Sequence, residues 1–535
     1  MQLDVSVQFT HIRSRKVKCD EAKPACHRCV STGRKCDGYG IWGGGHRPQG
    51  KGSHFASSYT LQHASLRVQI PTQCYTADER TYISWLQLKT IPKIPGTYAN
   101  GFWLTLLQQA SVAEPAVFHA MLTLSSAHKV DTCNGDLSTK WMIPNGQKKF
   151  MLHNYSKAIS YLQPHFNTKT TASTRVVLIV CIVFTCLEFL RGNFRTAQTH
   201  LHNGLLVLQE NSNEMCDSTL SPHSADSTDC WIIEMFQRLQ VQVELFHRTH
   251  LQPLSILLPD THQAVATNFH SVKDAWTELD RIFYKIIVIK KNNKIDQVKS
   301  INSSDGGTCS TELLPYQQHI QSCLDVWSTA YESFRRILDS QDPTFFINAI
   351  FMSYYNLAAI LCSALLSNEL AYDALTRQFL TILSNSVYLW KARPPQPIIR
   401  GSRFNMAHSI VDFGWIPPLY YTAIKCRIRS VRLHALRLLE STLHREGIWD
   451  CWIASKIVRK VMEIEDDNLY ENDTAKHPLD AIPQLGELEQ PTLPLGKRLS
   501  EISVKLEDEL VDTVIMEYKS ACYGADWEKV CVSLS

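Results

Sequence analysis

Four of the chain's 17 cysteines stand in the spacing Cys19-x6-Cys26-x2-Cys29-x6-Cys36. A stretch this short cannot bury a core large enough to order it, so its folding energy must come from elsewhere. Thiolates are soft ligands that suit zinc, and a structural zinc site takes four of them. Metal supplies roughly 10–16 kcal/mol in finger-sized peptides. In RSRKVKCDEAKPACHRCVSTGRKCDGYG the spacing therefore reads as a zinc site made by Cys19, Cys26, Cys29 and Cys36. Four unrelated thiols are the plain alternative, but that reading leaves the flanking basic run unexplained.

The run gives the segment a charge of its own. Between His11 and Cys36 eight Lys or Arg face two acidic residues, a local +6 within a chain of net charge +3. The remainder is slightly acidic. A compact basic patch at one end of a near-neutral chain points to a polyanionic partner. The other thirteen cysteines are scattered without pairing rhythm, and several lie on apolar faces (Cys181, Cys186, Cys362). An odd total, a long chain and no apolar leader predict a reducing interior with free thiols.

Residues 13–39 resemble the fungal binuclear zinc-cluster DNA-binding domain, in which six cysteines hold two zinc ions. That family follows C-x2-C-x6-C, a loop often containing Lys-Pro, C-x2-C and a last cysteine. Cys19 falls at its third cysteine, Lys23-Pro24 in its loop, Cys26 and Cys29 at its fourth and fifth, and Cys36 at its sixth. The resemblance implies zinc, double-stranded DNA, the nucleus, and a short recognition helix in the major groove at Arg13-Ser-Arg-Lys-Val-Lys18. By position Arg15 and Lys16 would read bases, and Arg13 and Lys18 would contact phosphate. Arg and Lys donate to guanine O6 and N7, which suits the CGG-type half-sites that the family implies.

The chain departs from that pattern at the first two cysteines, where Phe9 and Ile12 stand instead. By the family's bridging scheme, one zinc keeps only Cys19 and Cys26, and the other keeps Cys26, Cys29 and Cys36. Two zincs are then not held conventionally; one zinc could still take all four thiolates, or recruit His11 or His27. Either MQLDVSVQFTHI is a misassigned start that displaces the true C-x2-C, or the cluster has been lost. The abrupt onset of the pattern at Arg13 favours the first, because decay would erode the motif throughout.

Residues 39–73 shift to Gly, Ser, His and Gln and read as a flexible linker without coiled-coil heptads. A homodimer or heterodimer through that route is therefore not expected. Residues 74–535 read as one all-helical body. Pro115 opens a helix. Met151, Tyr155, Ala158, Ile159 and Leu162 share one helix face. Val176–Leu190 and Phe194–Leu208 form a hairpin, with Phe194, Ala197, Leu201, Leu205 and Leu208 inward. Ile424, Ile428, Val431, Ala435 and Leu438 form a stripe, read as core rather than a dimer seam. Val176–Phe184 is apolar throughout but too short to span a bilayer, so no membrane segment is expected. Polar breaks near 210–228 and 295–312 and the proline loop Arg393–Pro397 read as loops. Residues 463–489 hold nine acids against one lysine and read as a solvated loop, with an acidic activation segment as the alternative.

The body also resembles the fungal-specific transcription factor domain that accompanies zinc clusters. The matching stretches are Phe102-Trp103, EPAVFHAMLTLSSAH at 114–128, CLEFLRGNFRTAQTHLHNGLLVLQE at 186–210 and EGIWDCWIASKIVRKVMEIE at 446–465. This implies an all-α effector or dimerisation domain whose ligand is unknown. No nucleophile elbow, zincin, P-loop or dinucleotide fingerprint is present, and His200 and His202 are too close in sequence to share a helix face. The expected fold class is mainly α, and the expected function is a sequence-specific DNA-binding transcription regulator of a metabolic or small-molecule biosynthetic gene set, not an enzyme. The alternative is a regulator without DNA binding that acts by protein association.

Overall fold

The computed structural model describes residues 31, 76–96, 101–133, 145–168, 170–211, 228–246, 266–301, 309–339, 345–366, 369–392, 409–441, 444–465, 478–483, 493–508, 513–521 and 527–534. Helix α1 (Ala77–Trp85) starts from a capping box, in which the Thr76 hydroxyl accepts from the Glu79 N–H at 3.2 Å and the Glu79 carboxylate accepts from the Thr76 N–H at 2.9 Å. A π-helical turn (Leu86–Thr90) and a short turn (Ile91–Lys93) continue it. A second π turn, Phe102–Leu106, leads into α2 (Leu107–Ala113).

The paired helices follow. Helix α3 (Pro115–Cys133) opens on its proline, as expected, and packs on α4 (Asn145–Asn167). Helix α5 (Thr171–Arg191) ends at Gly192 in the left-handed conformation, φ 80°, which turns the chain into α6 (Phe194–Glu210). The expected hairpin is thus present, with Phe194, Ala197, Leu201, Leu205 and Leu208 all buried. Helix α5 is long and apolar enough to cross a membrane, yet 83% of its most apolar window is buried by neighbours, so Val176–Phe184 is a core segment.

Beyond it run α7 (Thr228–Phe246), α8 (Val272–Ile301), α9 (Cys309–Asp339), α10 (Phe345–Ser363) and α11 (Thr376–Lys391). The last helices are α12 (Ile416–Lys425), α13 (Arg429–Glu440) and α14 (Cys451–Glu465). Strands β1 (Ser409–Ile410), β2 (Arg445–Glu446) and β3 (Trp449–Asp450) form a small sheet among them. A C-terminal antiparallel sheet has β4 (Leu499–Lys505), β5 (Thr513–Ser520) and β6 (Glu528–Ser533) in chain order. One contiguous hydrophobic core joins Leu86 in the first π turn to Leu534 after β6.

The mainly α reading holds, with the C-terminal sheet as an addition to it. Three details differ. Ile159 is exposed, because α4 turns Met151, Asn154, Ala158 and Leu162 to the core. The stripe from Ile424 to Leu438 is buried, but it is not one helix: Cys426–Ile428 form an extended link, and the apolar residues come from α12 and α13 at an angle. The break expected at 295–312 is shorter, since α8 reaches Ile301 and α9 begins at Cys309. Arg393–Pro397 lie outside the described residues.

Candidate nucleic-acid interface and buried ion clusters

Arg13, Arg15, Lys16, Lys18, Cys19, Cys26, Cys29 and Cys36 all lie outside the described residues; of that segment only Ser31, helical and exposed, is described. The donor set can still be judged by its chemistry. Four thiolates within one short segment satisfy one tetrahedral zinc and fall short of the six that a binuclear cluster needs.

Among the described residues no group of three or more His, Cys, Asp or Glu could hold a metal ion. Most of the described thiols of the body belong to its core. Cys181, Cys186, Cys323, Cys362, Cys426 and Cys451 are buried and form no disulfide. Burial pushes the Cys181 and Cys362 thiols up to about 12 and Cys426 to about 11. Thiols so far from the thiolate are unreactive. His200 donates or accepts toward the Tyr155 hydroxyl at 2.9 Å, whereas His202 is exposed, so the two point apart as expected.

What the sequence reading missed in the body is a set of buried charges that tie helix ends together. The β2–β3 turn serves three of them. Arg445 gives Nη1 to the last carbonyls of α5, Phe189 O at 3.3 Å and Leu190 O at 3.2 Å, and is held by Asp450 at 2.9 Å. Asp450 Oδ1 accepts from the Trp452 and Ile453 N–H groups and caps α14. Glu446 accepts from the N–H groups of Gly414, Trp415 and Ile416 at 3.1, 2.6 and 3.1 Å and caps α12. Cation at a C-terminus and carboxylates at N-termini are the favourable arrangement for helix dipoles. Two glycines make room. Gly447 takes a positive φ of 55° in the turn, and a Cβ on Gly414 would lie 2.1 Å from Glu446 Oε1.

Two further clusters link distant segments. Arg238 on α7 bonds Asp412 at 2.6 Å and Asp280 on α8 at 2.6 Å. One guanidinium between two carboxylates leaves an excess negative charge, and burial raises Asp412 and pushes Asp280 up to about 7. Asp280 is the more accessible of the two, with 22% of its side chain exposed. Elsewhere Glu369 pairs with Lys425 (2.9 Å) and Arg427, while Glu465 pairs with Arg427 (3.4 Å) and Arg432. The first strand of the C-terminal sheet completes this cluster: Glu465 accepts from Leu499 N–H at 3.0 Å, and Lys425 donates to Leu499 O at 2.8 Å and Ser500 O at 3.0 Å. Glu465 is the second acid of the acidic run that the sequence reading took as solvated; at this residue that reading is corrected, because three partners hold the carboxylate in the core. The audible signal was Arg427 and Arg432 inside an otherwise apolar stripe, cations that require buried acids.

Residues 13–41 match the fungal Zn(2)-Cys(6) binuclear cluster domain. Zinc is the metal that this match implies for the cysteine segment. The chain is also similar to the aspercryptin biosynthesis cluster-specific transcription regulator atnN of Emericella nidulans, at 24% identity over 350 residues, which cover 60% of this chain and 53% of that protein. It is similar to the transcription regulator lscL of Purpureocillium lilacinum, at 28% identity over 210 residues, 37% of this chain and 48% of that one. The chain spans about half the length of the curated relatives it matches. No solved structure matches it.

Proposed function

We propose that this chain is a zinc-dependent, DNA-binding transcription regulator of a small-molecule biosynthetic gene set, working in the nucleus and not as an enzyme. The observation that carries the reading is the zinc-cluster match at residues 13–41 on a chain similar to two transcription regulators. Cys19, Cys26, Cys29 and Cys36 would hold the zinc, whose role is to fold the segment and fix its basic helix. Arg15 and Lys16 would then read bases, with Arg13 and Lys18 on phosphate; a CGG-type half-site suits those donors. Residues 39–73 would act as the linker, and residues 74–535 as an effector or dimerisation body of the fungal-specific transcription factor type.

The test is a gel-shift titration of the full chain against CGG-containing and scrambled duplexes, at two salt concentrations and with or without a zinc chelator. Base readout predicts a preference for CGG that survives higher salt and disappears with chelator. Phosphate attraction alone would give equal binding to both duplexes that fades with salt, and that result would overturn the proposal. The second reading, a regulator that associates with other proteins and does not read DNA, is favoured by Phe9 and Ile12 standing where the family has cysteines. Equal, salt-sensitive binding is what it predicts.

A further inference from the structure

Helix α4 carries two apolar faces, and the body buries one of them. Met151, Asn154, Ala158 and Leu162 turn to the core. Next to them round the helix stand Leu152, Ile159 and Phe166, which are 46%, 41% and 61% exposed. Seven residues make about two helical turns, so the three lie in one line about 21 Å long, with Phe166 continuing it past Pro164. Single exposed apolar residues are common on any protein surface, but three at a constant spacing on one helix form a pattern.

The charges beside the line are patterned too. Between Asn145 and Asn167 the helix has three lysines, two histidines and no aspartate or glutamate. Lys148 heads the line, one turn before Leu152. Lys149, His153 and Lys157 recur every four residues and form a ridge along one side of it. Lys149 and His153 are exposed, and Lys157 is half-buried. None of the three lysines forms an ion pair among the described residues. On the other side of the line the Tyr155 hydroxyl meets His200 of α6 at 2.9 Å, and its ring stacks on Phe184 of α5 at 4.3 Å. The line thus has a closed aromatic flank and an open cationic one.

Such a face fits a helix whose apolar residues recur at three and four, with acids along one edge. DNA phosphate would engage the lysines and leave the apolar line in water. A second copy of α4 would set lysine against lysine, because the helix has no acid to offer. We propose that the line of Leu152, Ile159 and Phe166, with Lys149 and Lys157 beside it, docks an acidic amphipathic helix of a partner protein. This holds whether or not the zinc segment reads DNA.

Fluorescence anisotropy of the full chain tests it with three labelled peptides. One carries leucine at alternating three- and four-residue spacing with glutamate along one edge. The second is its scramble, and the third has lysine in place of every glutamate. The scramble keeps the charge, so it measures any plain attraction to the basic segment before Cys36. The glutamate peptide should bind more tightly than either. Ile159→Ser should weaken it roughly tenfold, the worth of one buried apolar side chain. Lys149→Glu with Lys157→Glu should shift the preference toward the lysine peptide. Equal binding of the glutamate peptide and its scramble by the wild-type chain overturns the proposal, and that comparison stands even if a variant fails to fold. So does glutamate-peptide binding that both variants leave unchanged. Loss of duplex binding or of phosphatidylserine-vesicle sedimentation in the double-lysine variant would give the ridge to DNA or to a membrane, and a dimer that Ile159→Ser dissolves would give the line to a second copy; each overturns it.

Discussion

Replacing Glu465 with glutamine should unlock the body at one atom. In the native cluster three cations (Lys425, Arg427, Arg432) face two carboxylates, Glu369 and Glu465. Glu465→Gln keeps the side-chain shape and an oxygen for the Leu499 N–H, but leaves three buried cations against one acid. Arg432 is the most affected, because its remaining partner is the Ala423 carbonyl at 2.8 Å. Breaking a buried pair by removing one charge costs about 3–5 kcal/mol. The exposed pair Lys505–Glu517 on the C-terminal sheet is the control, since Lys505→Met should cost about 0–1 kcal/mol. Urea and thermal melts of the full chain and both variants measure the difference. The arginines hold the Glu465 carboxyl below its usual range despite its burial. Its contribution is therefore present above the unfolded carboxyl pKa and lost as pH falls through the lower folded value, so acid should erase the gap between wild type and Glu465→Gln. A loss below about 1 kcal/mol, equal to that of Lys505→Met, would refute the claim that this cluster fastens the sheet.

Gly414→Ala should cost about 2–4 kcal/mol in the same melts, because its Cβ would displace Glu446 from three N–H groups of α12. Asp280 has its folded pKa raised from 3.8 to about 7, so the folded chain holds that proton more tightly. Stability should fall as pH rises from about 4 to about 7 and level off above, and Asp280→Asn should flatten that slope when melting temperatures are compared across the range. Asp508 accepts from the Arg195 and Thr196 N–H groups at 2.7 and 3.1 Å; Asp508→Ala should cost about 1 kcal/mol through loss of the α6 cap, and hydrogen exchange should rise first at Arg195 and Thr196.

The helices were legible where a single physical cause set them. Pro115 fixed a start, Gly192 fixed a stop, and the period of Phe194, Ala197, Leu201, Leu205 and Leu208 fixed a face. The π turns at Leu86–Thr90 and Phe102–Leu106 were not legible, because one extra residue per turn leaves no mark on an apolar pattern. The C-terminal sheet was missed because its alternation is brief and broken: in β5 only Val514 and Met516 are buried, and the exposed residue between them, Ile515, is apolar. The link at Cys426–Ile428 imitates a helical stripe, since spacings of 4, 3, 4 and 3 survive a change of direction when both flanking helices are buried. The zinc ligands rest on spacing alone and lie outside the described residues. The contacts of the buried His128 depend on a hydroxyl and an indole brought from 38 and 43 residues away, and no local pattern carries that.

The C-terminal sheet and the helices depend on the same few charges. Glu465 and Lys425 hold the first residues of β4, Asp508 beyond β4 caps α6, and the Trp452 indole donates to Leu534 O at 3.0 Å after β6. The anchors reach α6, α12 and both ends of α14, so the sheet cannot leave without exposing a cation, an uncapped helix end and an indole N–H at once. Apolar packing alone would tolerate a shift of the sheet by two residues, which returns the same face to the core. The polar contacts do not, because each is made to one or two particular backbone atoms. The hairpin Arg445–Asp450 follows the same logic, serving the ends of α5, α12 and α14 from six residues. Burial supplies the stability of this body, and the buried charges determine how its helices and sheet are registered.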